Sequence, residues 1–168
     1  VKDVQSWVVY PANLLPDVSE FAMVPSNTGG DQYTNAILED EENPGNNLLE
    51  MISPQADPGK FMWKYTLPSD VSNPLTLVAR VMGASDTLDR TMEFDIQQAG
   101  FRERLYIKND NTFELKEAGA TGSLNACPLG WHIYRLVKDA DVVSFYLDEN
   151  PVALVTDTTA NSSAENYF

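Results

Sequence analysis

Between Trp131 and Val155 the chain reads WHIYRLVKDADVVSFYLDENPVALV, runs of Val, Leu, Ile, Tyr, Phe and Trp separated by the acidic breaks Asp139-Ala140-Asp141 and Asp148-Glu149-Asn150. β-Branched and aromatic residues fit a pleated, half-buried surface, and Asp and Asn tolerate the geometries that reverse a strand. The run therefore predicts a β-meander of three strands. In its middle strand Val143, Phe145 and Leu147 alternate with Ser144, Tyr146 and Asp148. That is the period-two pattern of a sheet with one face buried and one toward water.

The same signature recurs upstream. Strand-like segments are expected at Trp7 to Tyr10, Phe21 to Val24, Ala36 to Leu38, Asn47 to Ile52, Met62 to Tyr65, Leu75 to Met82, Arg90 to Gln97, Glu103 to Lys108 and Thr112 to Leu115. Prolines such as Pro44, Pro54, Pro58, Pro68 and Pro74 fall between them, where no ladder hydrogen bond is lost. No long helical period interrupts the series, so the fold class is all-β, an antiparallel β-sandwich. A chain of 168 residues fits one domain. Its part to about Gly59 is irregular, with NTGGDQ and EDEENPGNN as loops, and residues 60–168 are expected to form the sandwich core.

Composition removes several function classes. A formal charge of −14 and only 11 Lys and Arg leave no basic footprint for nucleic acid or an anionic membrane surface. The longest apolar run, near Leu75 to Ala79, is of strand length, so no membrane insertion is expected. The four adjacent carboxylates Glu39-Asp40-Glu41-Glu42 are the one place for calcium. Their spacing matches no specific motif, and a solvated acidic loop is the plainer reading, so no metal or other cofactor is assigned. Cys127 is the only cysteine, which excludes an intramolecular disulfide. His132 follows five residues later, but one Cys and one His in a β-rich chain read as packing residues rather than a catalytic dyad.

Polar side chains line up on neighbouring segments. From Arg90 to Gln97, alternation puts Met92, Phe94 and Ile96 on one face and Glu93, Asp95 and Gln97 on the other. The preceding strand sets Val78 and Arg80 opposite Leu77, Ala79 and Val81, and the following one sets Arg104, Tyr106 and Lys108 opposite Leu105 and Ile107. If these strands share a sheet, Arg80, Glu93, Asp95, Arg104 and Tyr106 decorate one surface. The tryptophans are expected inside: Trp131 shares a face with Ile133 and Val137, and Trp63 sits in an aromatic stripe with Phe61 and Tyr65.

Glu93-Phe-Asp95-Ile-Gln97-Gln98 resembles the Glu-x-Asp-x-x-Glu strand of laminarinase-like retaining β-glucanases, which have a concanavalin A-like jelly roll. In that family the first Glu is the nucleophile, the Asp adjusts its ionisation and the last Glu is the acid/base, a bulge bringing all three to one face. Here Gln98 stands at the acid/base position. An amide cannot protonate a leaving glycosidic oxygen, and retaining hydrolysis needs two carboxyls about 5 Å apart. More broadly, LTLVARVMG, RTMEFDI, GFRERLYIKND and WHIYRLVKDADVVSFYLDENPV, within residues 61–168, resemble the concanavalin A-like or laminin-G-like modules of secreted bacterial polysaccharide-degrading proteins. Such modules continue with another strand after a segment like Asn166-Tyr-Phe168. The resemblance therefore implies a missing final strand, or an open edge through which a second chain could pair.

The resemblance implies an extracellular, cell-surface or periplasmic module that binds a poly- or oligosaccharide without chemistry. Sugar sites combine an aromatic platform with planar polar groups. Tyr106 with Arg80, Glu93, Asp95 and Arg104 has that composition, and Arg102 has the bidentate fork for a uronate carboxylate. The competing readings are a glycosidase or polysaccharide lyase acting through Glu93 and Asp95, and a structural spacer. In the second, the arginines pair with the carboxylates across strands, each pair contributing roughly 0.2–1 kcal/mol.

Overall fold

The structure, a computed structural model, describes residues 10–25, 34–52, 61–67, 74–83, 90–98 and 100–159. The expected strand at Trp7 to Tyr10, the loop NTGGDQ, Pro54, Pro58 and Pro68, and the segment Asn166 to Phe168 lie outside these residues, apart from Tyr10. Every regular element among them is a strand. The chain divides into two compact units, Val1–Tyr65 and Thr66–Phe168.

The first unit holds β1 (Phe21–Pro25), β2 (Thr34–Glu39), β3 (Asn47–Ile52) and β4 (Phe61–Tyr65). They form two antiparallel pairs, β1 with β4 and β2 with β3. The turn of the β2–β3 hairpin is built by the acidic run. Asp40, 2% exposed, accepts from the N–H groups of Glu42 at 3.0 Å and Asn43 at 3.3 Å and from the Asn43 side-chain amide at 3.0 Å. Glu39 accepts from the Gly45 N–H at 3.2 Å. Two of the four carboxylates are thus engaged by the turn, as short side chains do at chain reversals.

The second unit holds β5 (Leu75–Met82), β6 (Arg90–Gln98), β7 (Phe101–Lys108), β8 (Thr112–Leu115), β9 (Ala120–Ser123), β10 (Trp131–Asp139), β11 (Val142–Leu147) and β12 (Val155–Thr158). They form two four-stranded antiparallel sheets, in the orders β12-β11-β10-β5 and β6-β7-β8-β9. The chain starts in the first sheet, runs a four-stranded meander through the second and returns to finish the first. Ile96, Leu105, Ile107, Phe113 and Leu115 from one sheet meet Tyr134, Leu136, Val143, Phe145 and Leu147 from the other in one buried cluster. This is a β-sandwich-like arrangement. Phe145 lies edge-on to Phe113, with centroids 5.1 Å apart, and stacks with Tyr134 at 6.4 Å, so aromatic rings bridge the layers.

The meander is present with one boundary moved. β10 and β11 turn at Ala140 and Asp141, where Ala140 takes the left-handed φ of 53°. The second break follows at Asp148 and Glu149, with φ of 53° and 57°. Its third strand begins only at Val155, after residues 151–154 that belong to no strand, and Leu154 donates its N–H to the Phe145 carbonyl at 2.8 Å on the way in.

Two buried polar side chains, Lys138 and Thr159, tie the two layers of this unit together. Lys138, fully buried, donates from Nζ to the carbonyls of Gln98 at 3.2 Å and Ala140 at 2.6 Å, tying β10 to the end of β6. Burial holds its ammonium below the ordinary lysine range. Thr159, also buried, donates its N–H to the Asp141 carbonyl at 2.8 Å and its hydroxyl to the Arg102 carbonyl at 2.5 Å, joining the same two layers.

Candidate functional site

The five residues expected to decorate one surface do not share a sheet. Register pairs Glu93 with Tyr106, Asp95 with Arg104 and Gln97 with Arg102, so β6 and β7 do bring those side chains to one face. Arg80 is elsewhere: β5 pairs with β10 over eight residues, with Arg80 opposite Ile133. Period-two alternation reports which face a side chain takes within a strand and nothing about which strand is its neighbour. β5 and β6, consecutive in the chain, here belong to opposite layers.

The β6–β7 face is largely engaged with itself. Asp95 is 8% and Tyr106 4% exposed. Arg102 grips Asp95 with both arms of its fork, Nε to Oδ1 at 3.1 Å and Nη2 to Oδ2 at 2.5 Å. Arg104, registered opposite Asp95, instead pairs with Glu117 in the turn after β8, donating from Nε at 2.7 Å and from its backbone N–H at 2.9 Å. Its guanidinium also lies 5.6 Å from the Tyr106 ring centroid. Farther out, Lys108 pairs with Glu114 at 3.0 Å, and its hydrogen bond holds that carboxyl below the usual range. Charge-assisted guanidinium–carboxylate hydrogen bonds are strong and directional, so Arg102 and Arg104 each already hold a carboxylate.

The three positions of the glucanase-like spacing are not brought to one face. The register from Met92 to Gln98 runs without a shift, the single irregularity lying between Arg90 and Met92. Glu93 and Asp95 therefore share a face, while Gln98 falls on the other and is 2% exposed.

The outer face of β12-β11-β10-β5 has a different character. On β10, Tyr134, Leu136 and Lys138 are buried, so the core takes the even positions and Trp131, Ile133, Arg135 and Val137 face away, half-buried. The expectation that Trp131 is a core anchor of this sandwich fails here. Its companions on the strand are as predicted, but the strand is apolar on both faces and the other one faces the core. Arg80 lies over the Trp131 ring at 4.3 Å and Arg135 over the Tyr146 ring at 4.0 Å. Arg135 and Tyr146 are directly opposed in register. From Thr76 to Met82, Trp131 to Val137 and Val142 to Tyr146, no outward position is acidic.

At the rim of this sheet sit the only His and the only Cys. His132 Nδ1 lies 2.8 Å from Asp148 Oδ2 and its Nε2 lies 3.0 Å from the carbonyl oxygen of Cys127. Asp148 Oδ1 also accepts from the Ile133 N–H at 3.0 Å, continuing the ladder where β11 leaves it. The imidazole thus anchors the loop before β10, through the backbone rather than the thiol of Cys127. The neighbouring Tyr134 hydroxyl is buried with no hydrogen-bond partner among the described residues, and burial pushes its ionisation up to about 12. Among the described residues no group of His, Cys, Asp and Glu is placed to hold a metal ion, and no helix is long and apolar enough to cross a membrane.

Comparison of the chain with protein-family models, with curated proteins and with solved structures finds no match.

Proposed function

We propose that this chain is a non-catalytic carbohydrate-binding module with a concanavalin A-like jelly roll, carried by a secreted polysaccharide-degrading protein. One observation supports it above the rest. The outer face of β12-β11-β10-β5 presents two aromatic rings, Trp131 and Tyr146, each with a guanidinium held over it, on a sheet face free of carboxylates between the strand ends. Sugar sites ask for that pairing of apolar ring surface with planar hydrogen-bond donors. Of the residues first singled out, Arg80 takes part here.

Affinity electrophoresis through gels loaded with a panel of polysaccharides tests the reading. The protein is expected to be retarded by at least one glycan, with retardation lost in Trp131→Ala and a far-UV spectrum unchanged from the wild type. Retardation lost in Tyr106→Ala but kept in Trp131→Ala would move the site to the other sheet. No retardation by any glycan would favour a spacer. Release of reducing ends or unsaturated sugars, abolished in Glu93→Gln, would make the protein an enzyme.

A further inference from the structure

The two arginines of this face stand out against the charge of the whole chain. Asp and Glu number 25 against 11 Lys and Arg, so a basic side chain has an abundance of partners. Arg102, Arg104, Lys108 and Lys116 each take one, respectively Asp95, Glu117, Glu114 and Glu114. Arg80 and Arg135 take none among the described residues. Arg80 is exposed, and its described contact is the Trp131 ring. Arg135 donates one Nη2 hydrogen bond to the Asn150 carbonyl at 3.3 Å, and its buried Nε has no acceptor among the described residues.

A guanidinium over an aromatic ring is held by the ring quadrupole while its N–H donors stay available, and its planar fork matches a carboxylate with two parallel hydrogen bonds. Arg80 therefore presents a fork with no acidic partner among the described residues, and Arg135 a guanidinium that shares only its Nη2 with the Asn150 carbonyl and has no acidic partner there either. On β5, β10 and β11, outward acidic residues return only at the ends of the strands. Asp139 closes β10, and Asp148, beyond β11, is already engaged by His132 and the Ile133 N–H. The patch is locally cationic inside an anionic molecule, and its complement is an anion.

We infer that the ligand of this face is an acidic glycan, a chain of uronic sugars whose carboxylates are taken by Arg80 and Arg135. The inference rests on the reading of the face as a sugar site and names the class of sugar. A neutral glycan would leave both forks without their charge partner, whereas a carboxylate on the sugar ring supplies it and lets the ring's apolar edge lie along Trp131 or Tyr146.

The test compares polygalacturonate with the same polymer fully methyl-esterified, which keeps the sugar chain and removes its charge. Binding of the full chain is measured by isothermal titration and by affinity electrophoresis. The acid form is expected to bind, the ester to bind at least tenfold more weakly, and Arg80→Gln or Arg135→Gln each to weaken the acid form about tenfold. Lys116→Gln, in the turn after β8, should leave it unchanged. Arg80→Gln alters an exposed side chain, so a wild-type melting profile is expected and separates lost binding from lost folding. Equal binding of acid and ester overturns the acidic class and leaves the carbohydrate reading standing. Binding to a sulfated glycan with none to polygalacturonate overturns the carboxylate assignment. Binding to no glycan, charged or neutral, overturns the underlying reading itself.

Discussion

Glu103 shows how a residue that sequence habit places in water can sit in a core. It is fully buried opposite Ile96, with Oε1 accepting from the N–H groups of Arg104 at 3.1 Å and Glu117 at 2.9 Å and Oε2 from that of Ala118 at 3.0 Å. The carboxylate fastens the β8–β9 turn to β7. Burial still wins over these bonds and pushes its ionisation from 4.5 up to about 7. A carboxyl whose folded value is raised holds its proton more tightly folded than unfolded. Its contribution is therefore complete below pH 4.5 and is lost as the pH rises toward and through 7. At about 1.4 kcal/mol per unit, the loss amounts to at most about 3 kcal/mol. Urea unfolding between pH 4.5 and 8 should show the wild type losing stability relative to Glu103→Gln across that window, and a constant difference would refute the assignment. The parity of the strand carried the signal, since Glu103 falls in step with Leu105 and Ile107. Lys138 falls in step with Tyr134 and Leu136 in the same way. Both were hidden by the assumption that charge means exposure.

At the scale of elements, β9 explains why most strands were legible and one was not. Its sequence, Ala-Thr-Gly-Ser, has Thr121 as its single β-branched residue and none of the large aliphatic or aromatic residues that mark the other strands. The strand exists because its partner needs it to be small. Gly122 is registered opposite Phe113, and a Cβ there would lie 2.7 Å from Cζ and 2.8 Å from Cε1 of that ring. Phe113 is 2% exposed and braced edge-on against Phe145, so the ring has no room to swing aside. Gly122→Ala is expected to destabilise the protein by about 1–3 kcal/mol, the usual range for overpacking a filled core. Gly122→Ala combined with Phe113→Leu should recover part of that loss. Denaturant midpoints of the two variants check it; an unperturbed Gly122→Ala would mean the strand is not held against Phe113. Where strands were long and alternating, as in β5, β6, β7, β10 and β11, the pattern located them to within a few residues. What it left open was which face of β10 is internal, because Trp131, Ile133 and Val137 are as apolar as the set that the core selected.

Across the whole molecule the missing information was adjacency. A period-two pattern survives any pairing of strands, and placing β5 beside β10 rather than β6 took Arg80 away from Glu93 and Asp95 and set it over Trp131. The same scale governs charge. A net −14 on 168 residues is self-repelling, and folding brings those carboxylates closer together than they are in the unfolded chain. Salt screens that repulsion, the Debye length falling from about 30 Å at 0.01 M to about 3 Å at 1 M. Salt also weakens ion pairs, but the Arg102–Asp95 and Arg104–Glu117 pairs have side-chain carboxylates only 6% and 2% exposed, at Asp95 and Glu117, and are screened far less than surface charges. The repulsive term is the one that salt reaches. At pH 7, raising sodium chloride from 0.01 to 0.5 M is expected to raise the melting temperature by several degrees. Chloride is the appropriate anion, because sulfate strengthens apolar burial in any protein and would mask the electrostatic effect. A melting temperature that fell with salt would show instead that exposed ion pairs outweigh the repulsion, and would remove the contrast between an anionic molecule and a cationic sheet face from which the acidic-glycan proposal is drawn.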